Sequence, residues 1–322
     1  MARTIGIHAA FLDDGLKTRI NAAAAENGFE VVYFKDKDDA VAHSDGCEVL
    51  YGGFPAEAIK GDKALKWLGV SSAGVDNIVS DDLYPNPDVL VTNSAGGYGV
   101  TISEHLICTT LMMMRRMPEY AARVAKHQWG LVGEIHSLMR STVTIVGMGD
   151  IGTNFAKRCK AMGAACVRGV RRTNKPGPEC FDETYTIEHL DDAIQGADVV
   201  ALCVPGTDAT SHLIDERRLG LMKDGAYLLN VGRGWAIDQP ALIRALESGK
   251  LAGAAIDVTV PEPLPVDDPL WNAPNLLLTP HVSGNMTLNI TRELVIDIFV
   301  ENIGRYARGE KLRNLVDRKL GY

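Results

Sequence analysis

Ten residues, Val143-Thr144-Ile145-Val146-Gly147-Met148-Gly149-Asp150-Ile151-Gly152, constrain this chain more than any others. A β-branched run suited to a strand leads straight into glycines spaced G-x-G-x-x-G at 147, 149 and 152. The first glycine allows a tight turn. The second lets a pyrophosphate approach the backbone, and the third lets a helix pack closely on the strand. Backbone N–H groups at the helix start, around Asp150 and Ile151, would then face phosphate oxygens. Taken alone, the spacing also fits an ordinary glycine turn between a strand and a helix, so the surrounding sequence has to decide.

Downstream, the pattern keeps alternating. A helix is expected over 151–162, closed by Gly163, and a second strand over 165–170. Further strands are expected at 199–204, 226–231, 253–258 and 276–279, with helices near 215–222 and 240–248; Asp238 is placed to cap the latter. Six strands with helical crossovers behind a G-x-G-x-x-G are what a doubly wound dinucleotide fold requires.

Residues 1–95 repeat the alternation, with strands expected at 4–8, 29–34, 48–51, 67–70 and 89–92 and an alanine-rich helix over 13–27 ended by Gly28. The loop Ser71-Ser72-Ala73-Gly74-Val75-Asp76-Asn77 lies at a strand's carboxyl end, where small residues leave N–H groups open to a carboxylate. Spacing alone favours a plainer reading, a turn leading into a short helix capped by Asp76. A helix apolar around much of its girth is expected from Tyr98 to Met117, ended or restarted by Pro118. A last helix, 286–308, carries Ile290, Leu294, Ile298 and Ile303 on one face and is expected to cross back and cover the terminal edge of the first sheet.

A length of 322 residues favours two domains. The net charge of −8 argues against a general nucleic-acid binder. Six cysteines without a C-x-x-C pair read as small buried residues of a reducing compartment, with no metal site expected. The start has no apolar leader, and the apolar run Ile102–Met114 is too short to span a bilayer, so a cytoplasmic protein without membrane attachment is expected.

Three strand ends in the second half carry ionisable groups. Asn230-Val231-Gly232-Arg233-Gly234 holds an arginine between glycines, suited to a bidentate grip on a carboxylate. Asp257 through Pro265 holds Glu262 between prolines, and Thr279-Pro280-His281 ends a strand on a histidine. At successive strand ends of one sheet, the three can supply an anchor, an acid/base and a partner that tunes it.

These segments, with Pro269-Leu270-Trp271, Pro274 through His281, the Ser72–Asn77 loop and Ser103-Glu104-His105, resemble the D-isomer-specific 2-hydroxyacid dehydrogenase family over almost the whole chain. The resemblance implies an α/β protein of two doubly wound parallel-sheet domains. One is a Rossmann cofactor domain, 98–286; the other is a flavodoxin-like substrate-binding domain built from 1–97 and 287–322. It implies that Arg233 grips the substrate's carboxylate and oxo group, that His281 is the general acid in reduction, and that Glu262 orients His281 and favours the imidazolium. It further implies that Ala73, Gly74 and Val75 meet the carboxylate, that Asp257 meets the nicotinamide carboxamide, and that Val204, Pro205, Val231 and Gly232 line the cofactor. Tyr51 to Phe54, Tyr98, Trp271 and Met286 are expected around the substrate, a small 2-oxo acid such as glyoxylate or hydroxypyruvate. A homodimer through the 98–117 helix is also implied.

Two features depart from the family's commonest pattern. Where an NAD enzyme needs an acidic residue for the ribose, this chain has Val170-Arg171-Arg172-Thr173, which suits a 2′-phosphate and predicts NADP(H) preference with NAD(H) still admitted. Asp150 stands in the glycine turn where many relatives carry arginine, removing a cation beside the pyrophosphate. A formate dehydrogenase is disfavoured because glutamate stands at 262. The alternative of a different class, a dinucleotide-binding redox-sensing co-regulator, is disfavoured by the presence of Arg233, Glu262 and His281 together.

Overall fold

The computed structural model describes residues 3–322. The chain divides into two compact units, Met1–Tyr98 with Met286–Tyr322, and Gly99–Asn285.

In the first unit, β1 (Arg3–His8), α1 (Asp14–Glu26), β2 (Phe29–Tyr33), α2 (Lys37–His43), β3 (Val49–Gly52), α3 (Ala56–Gly61), β4 (Trp67–Gly69) and β5 (Leu90–Thr92) form a five-stranded parallel sheet in the order β2-β1-β3-β4-β5. That is the flavodoxin-like order. Asp13 caps α1 by accepting from the Leu16 N–H at 2.9 Å. No helix follows Asp76: the chain turns through Ile78 to a single 3-10 turn at Asp81–Leu83.

The second unit comprises α4 (Gly99–Met114), α5 (Met117–Val124), β6 (Thr142–Val146), α6 (Asp150–Ala161), β7 (Cys166–Arg171), β8 (Glu183–Thr186), α7 (Leu190–Ile194), β9 (Val199–Leu202), α8 (Glu216–Leu221), β10 (Ala226–Asn230), α9 (Gln239–Glu247), β11 (Leu251–Ile256) and β12 (Leu276–Leu278). Its parallel sheet runs β12-β11-β10-β9-β6-β7-β8, a doubly wound order that reverses between β6 and β9. The central strands are apolar without alternation, as both faces are covered. The seventh strand, β8, was not expected. Its polar Glu-Thr-Tyr-Thr sequence suits an edge that pairs with β7 alone. Asp238 caps α9 through the Ala241 N–H at 3.0 Å.

The long helix expected to Met117 stops at Met114. Arg116 takes a left-handed φ of 55°, and the chain restarts as α5 with Pro118 in its first turn, where a missing N–H costs nothing. The cysteines are all free, but only Cys47 and Cys159 are buried; Cys166, Cys180 and Cys203 are half-buried and Cys108 on α4 is exposed, contrary to the expectation of small buried residues.

The chain returns to the first unit as α10 (Asn289–Ala307). Its buried residues are Thr291, Val295, Ile296, Ile298, Phe299, Asn302 and Ile303; Ile298 and Ile303 are buried as expected, while Ile290 is exposed. Phe299 stacks on Tyr51 of β3 at 3.7 Å between ring centroids, and Arg19 of α1 pairs with Asp297. The helix therefore covers a face of the sheet and not its edge. The edge strand β5 is met instead by the tail: the Val316 N–H donates to Val91 O at 2.8 Å, and the Asn93 N–H to Asn314 O at 3.2 Å. Backbone groups on an open edge need partners that a helix cannot supply.

Candidate active site

The glycine turn is built by close approach. Gly147 has φ +104°, and a β-carbon there would lie 2.3 Å from the Cys203 carbonyl oxygen; at Gly152 it would lie 2.0 Å from the Gly147 carbonyl oxygen. Gly149 differs: nothing lies within 4 Å of its β-carbon position, and it begins the twelve-residue α6 without a side-chain cap. A bare helix start beside an open backbone fits the pyrophosphate of a dinucleotide.

Asp150 is turned to another task. Its Oδ1 accepts from Asn154 Nδ2 at 3.0 Å and would lie 2.3 Å from a β-carbon on Gly99, the first residue of α4. The carboxylate thus sits at the positive end of α4 as well as in the first turn of α6, which favours it electrostatically.

At the end of β7, Arg171 Nη1 donates to Pro176 O at 3.1 Å, within its own loop. Arg172, Thr173 and Lys175 follow, all exposed. Met148, from the glycine turn, packs where β-carbons on Gly169 and Gly177 would lie 2.6 and 2.4 Å away, so the turn and this basic loop share a wall.

Glycines also press the next strand ends together. A β-carbon on Gly232 would lie 2.5 Å from Val204 O, and one on Gly234 2.3 Å from Thr259 O. Buried Asn230 shapes the turn that presents Arg233: its Oδ1 accepts from the Gly232 N–H at 3.0 Å, and its Nδ2 donates to Arg233 O at 2.8 Å. Arg233 Nη1 donates to Gly232 O at 2.7 Å.

Glu262 and His281 meet. His281 Nδ1 lies 2.7 Å from Glu262 Oε2, and Glu262 Oε1 accepts from the Thr259 N–H at 3.0 Å. The side chains are half-exposed, 50% for His281 and 36% for Glu262. The Glu262 loop is pinned by Gln239, which accepts from Val260 N at 2.7 Å and donates to Val260 O at 2.8 Å. His281 has φ +52°, a conformation that a residue with a β-carbon rarely adopts. Asp257, 1% exposed, holds it there. The Asp257 carbonyl accepts from His281 N at 2.8 Å; its Oδ1 accepts from Thr279 Oγ1 at 2.6 Å and Val282 N at 2.9 Å, and its Oδ2 from Ser283 N at 2.9 Å. Beside the pair opens a cavity of about 420 Å³, walled by Leu264, Trp271, Leu278 and Pro280.

In the first unit, the 71–77 turn is held from within. Ser72 Oγ donates to Gly74 O at 2.7 Å, Asn93 Nδ2 to Ala73 O at 2.9 Å, and Tyr98 Oη to Ser71 O at 2.6 Å. Val75 is buried.

Residues 107–283 match the family model described as D-isomer specific 2-hydroxyacid dehydrogenase, NAD binding domain. The chain belongs to that family. Glyoxylate/hydroxypyruvate reductase A of Klebsiella pneumoniae (strain 342) is 33% identical over 275 residues, covering 83% of this chain and 85% of its own. A solved D-isomer specific 2-hydroxyacid dehydrogenase family protein from Aeromonas salmonicida superimposes with TM-score 0.86 at 32% identity, covering 99% of this chain and 100% of that one. A D-isomer specific 2-hydroxyacid dehydrogenase from Xanthobacter autotrophicus Py2, solved with NADPH and MES, gives TM-score 0.83 at 30% identity and covers 100% of both chains.

Within this dehydrogenase, several residues expected around the substrate or cofactor have partners inside their own unit. Tyr51 is 1% exposed and belongs to the core against Phe299. Tyr98 is buried, with its hydroxyl spent on the Ser71 carbonyl, and burial raises its pKa; it shapes the 71–77 turn. Phe54 packs edge-on against Phe34 at 5.9 Å between centroids. Asp257, expected at the carboxamide, accepts from three donors of the 279–283 turn. The roles of Thr279, Asn230 and Gln239 have no sequence signal, since a polar residue near a strand end carries none until its partner's position is known.

Proposed function

We propose that this dehydrogenase reduces a small 2-oxo acid, glyoxylate or hydroxypyruvate, to the D-2-hydroxy acid with NADPH preferred over NADH. The observation that carries the reading is the Glu262–His281 pair at 2.7 Å, two strand ends from the Arg233 turn of the same sheet. When bound, the nicotinamide supplies a hydride to the carbonyl carbon. Arg233 grips the carboxylate and the 2-oxo group through its planar guanidinium, setting the carbonyl's orientation. With Nδ1 facing Glu262, Nε2 of His281 is the nitrogen that hands its proton to the carbonyl oxygen as charge builds there. The ring then remains neutral with Nδ1–H on Glu262, and reprotonation from solvent resets it; the half-exposed pair is open to that exchange. Glu262 fixes the tautomer and ring plane, and Thr259 N–H and Gln239 fix Glu262.

Backbone N–H groups at Asp150, Ile151 and Gly152 are assigned to the pyrophosphate, and Val204, Pro205, Val231 and Gly232 to the cofactor wall. Arg171, Arg172 and Thr173 are assigned to a 2′-phosphate, a choice supported by the NADPH held in the Xanthobacter relative. A homodimer is proposed through α4 and the segment after it, where Met117, Val124, Trp129 and Leu131 expose large apolar side chains.

The test is a spectrophotometric screen of NADPH and NADH oxidation with glyoxylate, hydroxypyruvate, pyruvate and bulkier 2-oxo acids. Turnover of the small acids, faster with NADPH, is expected. Tight NADPH binding without turnover of any of them would overturn the enzyme reading in favour of a dinucleotide sensor.

A further inference from the structure

We propose that His105, on α4, is a positioning residue for His281, acting through Thr279 and Asp257. The inference rests on the reading of His281 as proton donor, and it begins from a count of protons. The Thr279 hydroxyl has a single proton, which it gives to Asp257 Oδ1 at 2.6 Å. His105 Nε2 lies 3.4 Å from the same hydroxyl oxygen. With its only proton committed to Asp257, Thr279 can only accept there, so His105 must carry its proton on Nε2 and donate.

That direction has a consequence. A threonine hydroxyl is a rotor with one donor and two acceptor positions. An N–H fixed on one lone pair favours the rotamer that sends the proton to Asp257. Asp257 then holds the Val282 and Ser283 N–H groups with its carboxylate and the His281 N–H with its carbonyl. These bonds surround His281 on both sides of a left-handed φ of 52°, and they are what keeps its ring against Glu262. If the hydroxyl turned away, Asp257 would lose one of three donors and the turn would relax toward ordinary backbone angles, carrying the imidazole away from Glu262. His105 is half-buried and reaches this network from a helix outside the three strand-end loops. The network thus links α4 to the catalytic turn.

Three variants test the order of the chain. His105→Phe removes the donor but keeps a ring, His105→Gln returns an N–H near the Nε2 position, and Thr279→Val removes the hydroxyl at nearly constant shape. Amide exchange at Val282 and Ser283 is read in the cofactor-free protein, and kcat and KM are read with the best 2-oxo acid. His105→Phe and Thr279→Val are each expected to speed exchange about tenfold and to lower kcat about tenfold, with KM changed less than about twofold. His105→Gln should stay within about threefold of the parent, and His105→Phe should cost nothing further in the Thr279→Val background. Unchanged exchange in His105→Phe, equal losses in His105→Gln and His105→Phe, or losses that multiply in the double variant would overturn the proposal. Should His105→Phe not fold, His105→Asn, whose shorter amide stops short of Thr279, takes its place. If the parent turns over no 2-oxo acid, the functional reading fails by itself, and the exchange measurements still decide the role of His105.

Discussion

Replacing Asp257 by asparagine leaves the shape of the side chain but turns one acceptor into a donor. The native carboxylate takes Thr279 Oγ1 and Val282 N on Oδ1 and Ser283 N on Oδ2. With the asparagine oxygen at the first position, its NH₂ faces the Ser283 N–H; with the amide flipped, it faces the Val282 N–H, and the Thr279 hydroxyl has to turn to accept. The less costly arrangement loses one bond to a charged acceptor and leaves a buried N–H unpaired, one event worth about 2–3 kcal/mol. At 1% exposure Asp257 is shielded from bulk solvent, so the loss is felt close to full strength. The cost falls on the 279–283 turn and need not appear as global unfolding. Since about 1.4 kcal/mol is a factor of ten, amide exchange at Val282 and Ser283 should accelerate roughly 30- to 150-fold, more than in the His105 variants. Exchange by mass spectrometry or NMR on the cofactor-free protein reads this directly, beside kcat, which should fall with it. Exchange within about threefold of the parent would refute the argument that Asp257 clamps the catalytic turn.

Other outcomes follow from the same geometry. Gly149→Ala places its methyl in open space, so melting should hold while NADPH binding weakens at least about tenfold; Gly152→Ala meets a carbonyl oxygen at 2.0 Å and should lower Tm by about 5–10 °C. Equal thermal effects would contradict the assignment of Gly149 to the phosphate. Arg171→Asp with Arg172→Ser should cut kcat/KM with NADPH by about a hundredfold or more and with NADH by less than about threefold, and matching losses would sink the 2′-phosphate reading. Burial pushes the Asp62 carboxyl up to about 6, against the pull of the Gly46, Ala64 and Cys47 N–H groups, and Asp45 adds repulsion. A raised value means that its stabilising contribution is present below the ordinary carboxylate range and is lost as pH rises through about 6. The Tm advantage of Asp62→Asn over the parent should therefore grow by about 2–4 °C between pH 5 and 7.5. Parallel melting curves at the two pH values would count against it.

The alternation of strand and helix, the glycine turn and the three ionisable strand ends were legible because each rests on local rules. Gly147 and Gly152 fall where turn and packing demand them, Gly149 leaves its side open, and Asp13 and Asp238 cap the helices that follow them. Local rules failed where a distant partner decides. The edge strand β8 has no apolar period, because it pairs with β7 alone and only Tyr185 of its four residues packs against the core. The face of α10 is set by Phe299 on Tyr51, which moves the buried stripe off Ile290.

The sequence by itself determined that two parallel sheets would form, where the glycine turn would join strand to helix, and which arginine, glutamate and histidine would stand at strand ends, since backbone turns and hydrophobic periods are written in neighbouring residues. Only the tertiary structure decided what each polar group is spent on. Asp150 serves the start of α4, Tyr98 shapes a turn, and Asp257 holds His281 in a left-handed conformation with the help of Thr279 and His105. The reason is physical: a hydrogen bond between residues 22 or 174 positions apart leaves no periodic trace in the chain and exists only once the strand ends have been brought together.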